Sequence, residues 1–304
     1  MSTEPRPFDS AEARCPPETQ KRGLPTKARL RDVPRMIAMA FFLVWIGFSL
    51  FAFGWILLAS LKTNQEFFRG IWSLPEAPQW GNYLRVLTSG SLGQYFGNSL
   101  FAVAVSAFLV LVLATPAAYT LARMHFRGAQ TLSSLFIVGI GVPVQVIIIP
   151  LFFLMFRVGL VDTLTGLILA YVVTSLPFTI FLLRGFFRSL PSELEEAATV
   201  DGCSPSRTFL SIMLPLAAPG LLTATIFNVV WLLNEFLLSL TLLVSNTKYT
   251  LSLGLYALYG NMRYTGDWVG LFAGFAVVMV PSLLVYVFLS QRIIEGLTLG
   301  ATKG

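Results

Sequence analysis

The chain has 304 residues and a formal net charge of +6, with 55% aliphatic, aromatic and cysteine residues and only 12% charged ones. A mean hydropathy of +0.73 excludes an ordinary soluble domain. A positive balance points to nucleic acid only when the cations form one face; here they cluster in the loops between apolar runs, so nucleic acid is not an expected partner.

Residues 1–35 carry eight Lys/Arg among several prolines and few large apolar residues, which predicts a disordered basic tail. The first apolar run begins near Met36 and lacks a small-x-small exit, so it is expected to stay as a signal anchor. Apolar runs long enough to cross a ~30 Å hydrocarbon core then recur at 36–60, 95–122, 132–156, 164–183, 220–244 and 268–289. They predict an all-α polytopic membrane protein with six transmembrane helices, occupying 36–304. Pro116, Pro143, Pro150 and Pro177 fall inside these runs and predict kinked helices around a central route.

The polar interval 184–219 interrupts the pattern. Ser192-Glu193-Leu194-Glu195 fits a capping box, and Leu194, Ala197 and Ala198 then fall on one narrow helical face. Gly202 is placed to end that helix in the left-handed conformation, and Ser204-Pro205 to start a second one at once. Pro215 and Pro219 limit how far the second can continue. Two short helices with small residues on one face suit docking of another protein surface rather than a reaction centre.

Cation placement gives the orientation. The N-terminal tail, Arg123 with Arg127, the central interval and the C-terminal segment 290–304 hold 15 of the 21 Lys/Arg, and the opposite loops hold 6. The positive-inside rule therefore predicts cytoplasmic termini and a cytoplasmic central loop. Cys15 and Cys203 then face a reducing compartment, and a disulfide is not expected.

No G-x-x-x-x-G-K-[ST], H-E-x-x-H, C-x-x-C or G-x-S-x-G pattern occurs, so no enzyme activity and no metal or cofactor site is expected on this chain. Within the predicted spans Glu235 is the only carboxylate, flanked by Asn234. A charge there needs a partner or a wet cavity. Glu235 either lines a solute route or ties its helix to another, and Gln145 faces the same choice.

Glu196-Ala197-Ala198, three residues, Gly202, nine residues and then Ile212-Met213-Leu214-Pro215 resembles the EAA loop of ABC importer permeases. From about Met36 onward the chain is similar to carbohydrate-class permeases such as the smaller maltose permease subunit. Asn98-Ser99-Leu100, Ala118-Tyr119, Leu121-Ala122-Arg123, Asn234-Glu235-Phe236-Leu237 and the ending Glu295 to Gly300 all fit, although Trp231 stands three residues before Asn234 where the family often has tryptophan adjacent. The resemblance implies a type I importer permease fold in a bacterial inner membrane. It implies a partnership with a second homologous permease chain, two ATPase subunits that carry the ATP and magnesium, and an extracytoplasmic solute-binding protein. It assigns ATPase coupling to Glu196, Ala197, Ala198, Asp201, Gly202, Ile212, Leu214 and Pro215. The solute class is sugar, with a polyol or glycerol phosphate as the alternative. Two other classes compete: a stand-alone secondary transporter, which needs no such loop, and a membrane enzyme, which would have to use the acids Glu193, Glu195, Glu196 and Asp201.

Overall fold

The computed structural model describes residues 28–88 and 91–301, with side chains for 35–88, 91–284, 286 and 287. Most of the expected basic tail, the side chains of the C-terminal segment from 288 onward and residues 302–304 lie outside that range. All regular elements among the described residues are helical. The chain divides between Phe53 and Gly54 into two compact units. Helix α1 (Ala28–Ser60) begins in the first. It extends back over 28–35, part of the stretch expected to be disordered, where Ala28, Leu30 and three arginines are good helix formers.

The second unit continues with α2 (Asn64–Arg69), α3 (Gly81–Thr88), α4 (Leu92–Arg123), α5 (Ala129–Ile140), α6 (Val144–Arg157) and α7 (Leu164–Ser189). A paired-helix projection follows: α8 (Glu193–Val200), α9 (Pro205–Thr208), a π turn over Phe209–Met213 and α10 (Leu214–Leu216). The chain returns through α11 (Ala218–Asn234), α12 (Leu237–Leu242), α13 (Leu251–Thr265) and α14 (Trp268–Ala301).

Helices α4 and α7 pack together most extensively. On α4, Ala102, Ser106, Val110, Ala114 and Ala118 recur at four-residue intervals and are fully buried, so a neighbouring backbone can approach closely. Tyr171, Leu183 and Phe187 of α7 join the same core, with Ala224 and Leu232 of α11. Gly220 extends this logic: a Cβ there would fall 2.5 Å from the Phe186 ring.

The prolines act in two ways. Pro116, Pro150 and Pro177 sit inside unbroken α4, α6 and α7. Pro143 does not: α5 and α6 meet at 103°, so the run 132–156 is a broken pair rather than one kinked helix. The break falls at Gly141-Val142-Pro143, where proline lacks a donor and turns Val142 away from helical geometry. Gly139 lets α5 rest on Pro177 of α7; a Cβ there would lie 3.2 Å from that ring.

Polar clasps hold the connections at the other end of the bundle from the helix pair. Asp162 accepts from the backbone N–H of Val244 (3.0 Å) and Ser245 (2.9 Å), from the Ser245 hydroxyl, and from Lys248 Nζ at 3.0 Å. Asp267 binds Arg85, Asn64 and the Gly270 N–H. Burial works to raise the Asp267 carboxyl, but these donors outweigh it and hold the group below its ordinary value. Lys62, only 1% exposed, donates to Gly70 O, Ile71 O and Ser73 Oγ. Asn98 donates to Thr247 O and Tyr249 O, and Ser99 accepts from Leu251 N–H at 2.7 Å, so this pair fixes the entry to α13.

Candidate functional site

Helix α8 ends as its sequence predicts. Gly202 adopts φ +75°, its N–H reaches Thr199 O at 3.0 Å, and Cys203 N–H reaches Ala198 O at 2.9 Å. These two bonds form a Schellman motif, which glycine enters without Cβ strain. Ser204 then caps α9 by accepting from Arg207 N–H, with Pro205 at the first helical position.

The start of α8 differs from expectation. Ser192 is in the right-handed helical region and its side chain makes no cap bond, so the predicted capping box does not form. Glu195, which would complete that box, is turned onto α4. Its carboxylate accepts from the Tyr119 hydroxyl at 2.8 Å and lies 3.7 Å from Arg123 Nε. Arg123 also donates to Leu190 O at the end of α7. A charge-assisted bond to a half-buried partner outcompetes a reciprocal cap exposed to solvent.

This anchoring rotates the expected face. Glu195 and Ala198 point inward, Ala198 being 3% exposed, whereas Leu194, Glu196, Ala197, Asp201 and Gly202 are exposed. Val200 joins them at 87% exposure, an apolar tip at the end of α8. Ala197 and Ala198 therefore serve opposite sides of one helix: the first lies on the open surface, the second lets α8 sit down on the bundle.

Ile212 and Leu214 are half-buried and Pro215 exposed. Pro215 has no N–H and its ring crowds the carbonyl four residues back. Just ahead of it the helix widens into the π turn, and Leu214 N–H bonds Phe209 O. Pro219 repeats the constraint, and the 205–216 segment meets α11 at 70°.

Glu235 lies outside regular helix. The predicted run 220–244 stops at Asn234, and Glu235 takes an extended conformation. Its carboxylate accepts from Leu238 N–H at 2.6 Å and from the N–H and hydroxyl of Ser239, both at 3.3 Å. It thereby occupies the free donors at the start of α12. Ser239 in turn meets the buried Tyr171 hydroxyl at 2.9 Å, tying α12 to α7. Asn234 is exposed and bonds back to Val230 O at 2.8 Å. Gln145 is exposed in the first turn of α6, which packs against α12. The two regions flagged in the sequence are thus separate: the helix pair at 193–215, and the broken helix ends around 145 and 235.

Tyr119 and Arg123 carry the helix pair, a role the sequence does not announce. The Tyr119 ring meets Phe187 edge-to-face (5.5 Å) and Phe209 at a tilt (4.8 Å), joining α4, α7 and the π turn. The available signal was a tyrosine and an arginine one turn apart at the polar end of an apolar run.

Among the described residues, three long apolar helices, two bent pairs and the apolar start of α14, with a clasped helix pair between α7 and α11, define a multi-pass membrane protein. Residues 111–297 match the binding-protein-dependent transport system inner membrane component family, and this chain belongs to it. It is a transport subunit rather than an enzyme. It is 38% identical over 88% of its length to the diacetylchitobiose uptake system permease protein of Streptomyces coelicolor, covering 88% of that protein. It is 32% identical to the trehalose transport system permease protein of Mycobacterium tuberculosis, over 85% of this chain and 94% of the relative. Among solved structures, a bacterial ABC transporter that imports alginate superposes with a TM-score of 0.73 at 22% identity, over 88% of this chain and 98% of that one. At that identity the likeness concerns the fold.

Proposed function

We propose that this chain is a permease subunit of an ATP-driven importer of a sugar, forming half of the translocation pathway beside a second, homologous permease chain. ATP and magnesium are bound and used on two separate ATPase subunits, and an extracytoplasmic solute-binding protein delivers the solute. The helix pair 193–215 is the contact with the ATPase. The observation that carries this reading is the division of α8 into two faces: Glu195 and Ala198 fastened to the bundle, and Leu194, Ala197, Val200 and Gly202 left open around an apolar tip. The sugar relatives favour a carbohydrate over a polyol or glycerol phosphate.

The distribution of cations supports cytoplasmic termini in a bacterial inner membrane. The binding protein then meets the opposite side, where Trp80 just before α3 and Tyr264 at the end of α13 are exposed. Reconstitution of this chain with its genomic neighbours into proteoliposomes tests the assignment. Sugar uptake that requires ATP inside and binding protein outside is expected; uptake by this chain alone down an ion gradient would establish a secondary transporter instead.

A further inference from the structure

The helix pair is joined to the bundle by three routes. Upstream, α7 stops at Ser189 and Leu190 is extended. Downstream lie the π turn and the 70° bend into α11. Each backbone route is interrupted, and helices bend where their hydrogen-bond ladder is broken. The third route is made of side chains. Tyr119, 6% exposed and held between two phenylalanine rings, donates to Glu195, and Arg123 faces the same carboxylate while bonding Leu190 O.

We propose that Tyr119 and Arg123 are positioning residues that pass displacement of the helix pair to α4, so that α4 and the tightly packed α7 follow it as one body. The proposal rests on the coupling role given above to residues 193–215. The clasp is low in solvent exposure at every member, with Arg123 at 13% and Glu195 at 22% for their side chains, so its electrostatics are screened less than those of a surface pair. Arg123 Nε is buried and makes no hydrogen bond at its 3.7 Å separation from Glu195.

Tyr119→Phe removes the hydroxyl and keeps the ring between Phe187 and Phe209; Glu195→Ala removes the carboxylate. In the complete reconstituted transporter, each is expected to lower solute imported per ATP hydrolysed by about tenfold, the scale of one hydrogen bond to a charged group. ATP hydrolysis should persist or rise. Equal loss of transport and hydrolysis, or an unchanged ratio, would overturn the proposal and leave the clasp as a structural support. Should Glu195→Ala fail to reach the membrane, Tyr119→Phe decides the matter. Gly202→Asp serves as the reference: if it uncouples while Tyr119→Phe does not, the clasp fails and the docking role stands. If Gly202→Asp imports normally, the docking role itself is wrong.

Discussion

Replacing Gly202 separates strain within this chain from contact with a partner. A Cβ at Gly202 would meet no atom within 4 Å, so alanine carries only the backbone cost of φ +75°. That cost is about 1–2 kcal/mol, and asparagine, which tolerates the left-handed region, should fall below it. Aspartate adds repulsion from the helix C-terminus of about 0.3–1 kcal/mol at this exposed position. Strain alone therefore predicts alanine to be at least as harmful as asparagine. A partner surface packed on the glycine predicts the reverse, because harm then follows side-chain bulk and polarity. An uncompensated charge buried there would cost about 3–5 kcal/mol, roughly a hundredfold or more in occupancy. The assay is solute imported per ATP in proteoliposomes holding the whole transporter, with thermal unfolding measured alongside. The expected order of coupling is glycine, alanine, asparagine, aspartate, whereas unfolding temperature should follow strain instead, with alanine no higher than asparagine. Asparagine and aspartate variants that couple like the parent would refute docking at Gly202.

Glu235→Ala should lower the unfolding temperature by several degrees, since an N-terminal cap is worth about 1–2 kcal/mol, while Glu235→Gln loses less. Altered solute preference in Glu235→Gln at unchanged stability would show that the carboxylate also faces the route. Gly254→Ala places a Cβ 2.0 Å from the Tyr95 ring, and a sharp fall in membrane-inserted protein on immunoblots is expected. The Ser245 hydroxyl and N–H, with Val244 N–H and Lys248, hold the Asp162 carboxyl well below its ordinary value against an opposing effect of burial. Its stabilising contribution is complete above the unfolded value of about 4 and is lost as pH falls through the lower folded value. Asp162→Asn should therefore reduce stability at neutral pH and flatten its decline on the acid side in thermal scans; an unchanged acid limb would show that other groups set it.

The Schellman turn at Gly202 and the second start at Ser204-Pro205 were legible because each depends on a few adjacent residues. The capping box at Ser192 was not, because Glu195 serves a tyrosine 76 positions away and local pattern cannot register that competition. Pro143 and Pro177 look alike in sequence, yet one marks a 103° break and the other a continuous helix. Gly141 just before Pro143 does not separate them, since its backbone stays in the ordinary right-handed region. Glu235 stands out in the sequence as a carboxylate in an apolar run. Its solution, an extended residue feeding its carboxylate to the next helix start, depends on the chain breaking there, and hydropathy carries no trace of such a break.

The π turn sets a phase. A helix of ordinary pitch advances about 100° per residue and the π turn holds one residue more than an α turn, so a deletion between Phe209 and Met213 is absorbed by a return to regular pitch, whereas one in α9 would swing the 193–204 segment by about that angle relative to α11. Glu195 would leave Tyr119, and the face bearing Val200 would aim elsewhere. Length in α9 is thus as binding as residue identity, and single-residue deletions there should be more damaging than most substitutions within it.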